Sequence, residues 1–127
     1  SINRGAFQGM NSLEKITLPF VGSNRGSTSS NGNSYGYGVF GWIFGTSSSG
    51  ETTTFQNNYS SSNGNYYTIP KTLRTVTITQ ETLIDDYAFQ NCSFLTEINI
   101  PDTVTKIYSC AFQSCSDITE INIEKAI

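Results

Sequence analysis

The strongest constraint on this chain is a segment that copies itself at a fixed spacing. The run from Ala88 to Ile100 (AFQNCSFLTEINI) lies over Ala111 to Ile123 (AFQSCSDITEINI), with 23 residues separating Phe89 from Phe112. Ala6 to Leu18 (AFQGMNSLEKITL) fits the same template and places Met10 in the cysteine column. A further copy of the second half is Leu73 to Ile78 (LRTVTI), 22 residues ahead of Leu95. The last two apolar positions of each copy are two apart, so they point to one side of a strand. One such strand cannot bury its face alone. Stacked copies make a parallel sheet over a continuous core. The Ala-Phe pair supplies the facing wall, Val104 and Ile107 add an apolar pair between strand and wall, and Pro19 and Pro101 end strands because proline cannot donate to a ladder.

The period falls in the leucine-rich-repeat range. The combined pattern, Ala-Phe-x-x-Cys-x-x-Leu-x-x-Ile-x-Ile-Pro-x-x-Val-x-x-Ile, resembles the BspA-like leucine-rich repeat of bacterial and protist surface proteins. It is carried by Ala88 to Phe112, continues to Ile123, and recurs from Phe7 to Pro19. The resemblance implies an α/β, β-rich right-handed leucine-rich-repeat solenoid. A parallel sheet would line the concave side, with short helical or 3-10 turns and short strands on the convex side. It also implies an extracellular or cell-surface location and adhesion to a host matrix protein or another cell-surface protein.

Repeats are expected near 1–21, 67–91, 92–114 and 115–127, forming one leucine-rich-repeat domain over 1–127. Residues 22–66 break the period and are rich in Ser, Asn, Gly and Tyr. Within them, Tyr37 to Gly45 (YGVFGWIFG) is an apolar island that reads as a degenerate repeat element with one residue deleted. Polar loops are expected on both sides, at about 22–36 and 46–66. Long loops in compact domains are often functional. One reading has this insert presenting Tyr35, Tyr37, Trp42, Tyr59, Tyr66 and Tyr67 to a partner, since Tyr and Trp give contact area at low entropy cost. The other makes Val39, Phe40, Trp42, Ile43 and Phe44 core, with tyrosines along the covering loops.

The outward strand positions are Lys15 and Thr17, Thr75 and Thr77, Glu97 and Asn99, Glu120 and Asn122. This concave face is polar and free of aromatic anchors, which interface hot spots favour. The insert edge is therefore the first candidate for binding. Glu97, Asn99, Glu120 and Asn122 are the second.

The chemistry of catalysis is poorly served. The chain has no histidine, so a serine or cysteine nucleophile lacks its usual base. Cys92 and Cys115 share a column and read as small core hydrophobes, while Cys110 is aligned with Tyr87 and is expected to be partly exposed. Three cysteines match no zinc ligand set and no fully paired disulfide framework. Glu97 and Glu120 sit in one column, roughly 5 Å apart by strand spacing, and read as a solvated pair. No catalytic residue, metal or cofactor is expected. The seven Lys and Arg residues are scattered and the net charge is −3, which argues against nucleic acid. No apolar run approaches the roughly 20 residues that span a bilayer. Of the two sequons, Asn91 lies within a repeat and carries no weight, while Asn58 would matter only in a glycosylating host. Neither end resembles a polar cap, so the stack is expected to continue on at least one side, or to self-associate through uncapped ends. The sequence thus supports a non-catalytic interaction or adhesion module. The alternative is a spacer or ancillary domain of a larger secreted protein or enzyme.

Overall fold

A computed structural model describes residues 1–28, 36–48, 50, 52–58 and 60–124 of the chain. Its strands are β1 (Lys15–Leu18), β2 (Thr54–Asn58), β3 (Ser60–Tyr67), β4 (Thr75–Ile78), β5 (Leu83–Ile84), β6 (Glu97–Pro101), β7 (Lys106–Ile107) and β8 (Glu120–Glu124). A 3-10 turn spans Phe40–Phe44. Each copy of the template contributes one strand to a parallel sheet of order β1-β4-β6-β8. The register follows the sequence columns: Ile16, Val76, Ile98 and Ile121 are successive partners. Val76, Ile98 and Ile100 are fully buried, while their neighbours Thr75 and Glu97 lie on the solvent side. A one-residue slip would reverse those faces, so the alternation itself fixes the pairing.

The opposite wall is joined backbone to backbone. Phe89 N–H donates to Ala111 O at 2.7 Å and Asn91 N–H to Gln113 O at 2.9 Å. Above these bonds the Phe89 and Phe112 rings lie parallel, 5.5 Å apart. The short parallel pair β5–β7 joins Ile84 to Ile107 in the position expected of the Val-x-x-Ile element. The Ala-Phe turn ends in a left-handed residue in three copies: Gly9 (φ 89°), Asn91 (φ 62°) and Ser114 (φ 58°). Glycine and asparagine suit that region, and serine tolerates it at some cost. The αL column is thus a repeat signal that apolar periodicity does not carry. At the β8 edge, Ile121 and Ile123 are exposed, although their counterparts Ile98 and Ile100 are buried.

The apolar island is hydrogen-bonded on two sides. Gly5 N–H donates to Trp42 O (2.9 Å) and Phe7 N–H to Ile43 O (2.7 Å), and on the far side Phe40 N–H donates to Ala88 O (2.8 Å). The 3-10 turn therefore sits in the wall between the first Ala-Phe turn and the third. Phe40 packs between Phe44, at 5.3 Å, and Phe89, at 5.1 Å. Both departures from the period leave this one element through closed necks. Ser23 N–H meets Tyr37 O, and Thr68 N–H meets Gly45 O, each at 2.9 Å. At the first neck Gly22 has φ 79°, and a Cβ there would stand 2.0 Å from Tyr37 O.

The second departure differs from the expected polar loop over 46–66. It is an antiparallel hairpin of β2 and β3, pairing Thr54 with Tyr67, Phe55 with Tyr66, Gln56 with Asn65 and Asn57 with Gly64. The reason is Gln56, which is fully buried. Its Oε1 accepts Gly41 N–H at 2.8 Å, and its Nε2 donates to Ala88 O and Gln90 O at 3.2 and 3.1 Å. Gln90 returns the contact: its Oε1 accepts Asn57 N–H at 2.7 Å and its Nε2 donates to Asn57 Oδ1 at 2.8 Å. Asn91 Nδ2 then donates to Phe55 O at 2.7 Å. Gln56 and Asn57, which read as loop, are buried because their amides are hydrogen-bonded.

Candidate functional site

The outer face of the parallel sheet carries two rows. Lys15, Thr75, Glu97 and Glu120 are register partners, as are Thr17, Thr77, Asn99 and Asn122. The second row is a hydrogen-bonded amide chain. Asn122 Nδ2 donates to Asn99 Oδ1 at 2.9 Å, and Asn99 Nδ2 donates to Thr77 Oγ1 and Glu97 Oε2, both at 3.0 Å. Asn99, expected on the surface, is instead 8% exposed, because these bonds hold it flat against the sheet. Glu97, Glu120 and Asn122 remain accessible to different degrees.

The insert residues separate by strand alternation. Tyr66 is 41% exposed and pairs across the hairpin with half-buried Phe55, ring centroids 5.0 Å apart and near edge-on. The Phe55 ring lies across Gly64, where a Cβ would stand 2.6 Å from its Cζ. Tyr67, the next residue, points the other way and is buried over Gly41, where a Cβ would stand 2.3 Å from its Cγ. Burial raises the Tyr67 phenol above its ordinary value, opposed by the Asn65 hydrogen bond and the charge of Arg4. Trp42 is buried too. Its indole N–H donates to Ile2 O at 2.8 Å, the Tyr37 ring lies 5.0 Å away, and the Arg4 guanidinium stands 6.0 Å from its ring. Trp42 and Tyr67 are thus wall residues and not presented anchors. Tyr37 is half-buried between the two states. Tyr35 and Tyr59 lie outside the described residues. Phe55, which sequence reading passed over, joins Tyr66.

At the hairpin root a cleft of about 380 Å³ is lined by Asn11, Thr52, Thr68, Ile69, Pro70, Lys71 and Thr72. Its floor is apolar, since Ile69 is buried, and its rim is made of hydroxyls and amide. Nothing in it pairs a nucleophile with a base. Elsewhere, Cys92, Cys110 and Cys115 are free thiols. Burial pushes Cys92 well above the ordinary thiol value, with Cys115 adding to the rise and Lys71 opposing it. Burial also raises Cys115, whose thiol donates to Phe89 O at 2.8 Å. Thiols held protonated in this way are poor nucleophiles. Asp86 Oδ1 accepts Cys110 N–H at 2.8 Å, so this carboxylate ties one repeat to the next. Asn58 is buried, and the Asn91 amide is committed to Phe55 O. Among the described residues no three His, Cys, Asp or Glu side chains converge as a metal site, and no helix is long and apolar enough to cross a membrane.

Parallel strands taken one from each copy of a template about 23 residues long, with aromatic turns stacked behind them, define a leucine-rich-repeat protein. A family model described as BspA type Leucine rich repeat region (6 copies) matches residues 41–127, and the chain belongs to that family. The first template copy, Ala6 to Leu18, lies outside the match, yet β1 joins the sheet in register with β4. Searches of curated proteins and of solved structures found no match. Leucine-rich repeats are in general protein–protein interaction modules, and their repeat domains are generally non-catalytic.

Proposed function

We propose that this chain is an adhesion or protein-interaction module of a cell-surface or secreted protein. It forms one leucine-rich-repeat solenoid with the parallel sheet on its concave side. The partner is another protein, of the host matrix or of a cell surface. Contact is made first by the hairpin residues Tyr66 and Phe55 and by Tyr35, Tyr37 and Tyr59 of the insert, and second by the sheet row at Glu97, Glu120 and Asn122. The observation that carries this reading is the exposed Tyr66 ring, paired with Phe55 on a hairpin whose inner strand is bonded into the wall. A ring held in place before binding loses little entropy on contact, and tyrosine is enriched at interface hot spots.

The test is binding of candidate matrix and surface proteins to the immobilised chain, comparing wild type with Tyr66→Ala. Loss of about tenfold or more in affinity with an unchanged melting curve supports the site. Equal binding by both forms moves the contact to the sheet row, where Glu97→Ala is the next variant. Retention of no partner at all favours the spacer role.

A further inference from the structure

The first departure from the repeat, residues 21–28, is fastened to the stack differently from the hairpin. Its side-chain attachment centres on one buried carboxylate, beside the buried Val21 side chain and a bond from Ile2 N–H to Ser23 O at 2.8 Å. Glu81 is 1% exposed. Its Oε2 accepts Val21 N–H at 3.0 Å, and its Oε1 accepts Gly26 N–H at 2.5 Å and Thr82 N–H at 2.9 Å. Gly22 and Gly26 both have positive φ, and the backbone N–H groups of Val21, Gly26 and Thr82 converge on the carboxylate. Such a concavity of backbone N–H groups is the arrangement that binds anions. Here the anion is a side chain of the chain itself.

Glu81 is braced from the other side. Thr103 Oγ1 donates to its carbonyl at 2.7 Å, and Thr105 N–H donates to Thr82 O at 2.9 Å, so the next repeat holds the carboxylate still. Beyond the Ser23–Tyr37 neck, the polar contacts of 24–28 are mostly internal. Ser23 meets Ser27, Asn24 Nδ2 donates to Ser23 Oγ, and Ser27 N–H donates to Asn24 O. An exposed hydrogen bond also runs from Arg25 to Gln80 Oε1, at 3.3 Å. We infer that Glu81 is a positioning residue: its charge holds segment 21–28 against the stack and, through the neck, sets where Tyr37 lies against Trp42. Without that charge the segment comes away as a strap while the repeats stay folded. Both statements stand whatever the hairpin binds.

The test replaces Glu81 by its uncharged isostere, Glu81→Gln, and reads three signals: trypsin cleavage after Arg25, backbone hydrogen exchange, and emission of Trp42, the single tryptophan. The amide presents N–H groups to donors that need an acceptor. Cleavage after Arg25 should therefore quicken by at least about tenfold, the scale of one lost charge-assisted hydrogen bond. Trp42 emission should shift as Tyr37 moves, while protection in β4 and β6 is unchanged. Gln80→Ala, which removes only the exposed contact, should leave all three signals as in wild type. Unaltered cleavage in Glu81→Gln overturns the inference, and so does parallel loss of protection across the sheet. If the variant does not fold, wild-type exchange decides. Val21 and Gly26 amides exchanging together, ahead of β4, support the strap. Exchange of those amides only with the whole sheet overturns it.

Discussion

The regular wall between Phe89 and Phe112 and the interrupted wall between the 3-10 turn and Ala88 do the same work with different atoms. In the regular wall, two backbone N–H groups of one repeat reach two carbonyls of the next. In the interrupted wall the first bond is kept, from Phe40 N–H to Ala88 O. The second donor is missing, because the element is a residue short and Trp42 N–H turns back to Val39 O at 3.2 Å. Gln90 O, which occupies the column of Gln113 O, is met instead by the Gln56 carboxamide. A primary amide carries the same donor and acceptor as a peptide group, so Gln56 stands in for the absent residue. A repeat can therefore be broken open provided that the inserted chain restores the hydrogen bonds its insertion removed.

The comparison breaks most sharply at the residue both walls share. Phe89→Ala removes a fully buried ring in contact with Phe40 on one side and Phe112 on the other. Its cost should be about 3–5 kcal/mol, read from urea denaturation. A smaller loss would show that the two walls do not share one core. Next comes the amide. Gln56→Ala strands Gly41 N–H and leaves Gln90 O short of its donor, for about 1–3 kcal/mol. Gln113→Ala removes one of the two acceptors of Gln90 Nε2 and leaves the backbone bonds of the regular wall in place, so it should cost less than Gln56→Ala. Equal urea midpoints for the two variants would remove Gln56 from its role.

A third difference is pH-dependent. The regular wall stacks the cysteine column, and burial raises both Cys92 and Cys115. The unfolded thiols ionise near their ordinary value and the folded ones do so only above it. The stabilisation they share is therefore complete below the unfolded pKa, about 8.5, and is lost as pH rises through the folded values. The wild-type midpoint should fall between pH 8 and pH 10 by more than that of Cys92→Ala, and identical slopes would remove the thiols as the cause. The smallest effect is expected on the outer face. Glu97 and Glu120 are direct register partners, and like charges so placed repel mildly. Glu120→Gln should raise stability by a few tenths of a kcal/mol at low salt, with the gain disappearing in high salt.

Much of the architecture was legible because it is periodic. The columns Ile98–Ile121 and Phe89–Phe112 predict sheet register and a facing wall; the register is found, and in the wall the two rings lie stacked. The apolar character of Tyr37–Gly45 was legible too, and its side chains from Phe40 to Phe44 are buried. The hairpin was not, because Thr54 to Tyr67 has the composition of a loop and its buried side chains are amides and hydroxyls. Composition reports transfer from water, whereas a buried amide depends on whether partners stand within hydrogen-bonding distance. The same gap separates Tyr66 from Tyr67, which are chemically alike and differ only in which side of one strand they occupy.

By itself the sequence determined the repeat, its spacing, the parallel order of the strands and the face that β4 and β6 bury. These follow from apolar spacing, and apolar burial is non-directional, so a one-dimensional pattern suffices to specify it. Tertiary structure alone decided how the break is sealed, which aromatic rings reach solvent, and that Glu81 and Gln56 are interior fasteners. Those outcomes depend on hydrogen bonds between residues tens of positions apart in the chain. Such bonds are set by distance and angle, which no local pattern records.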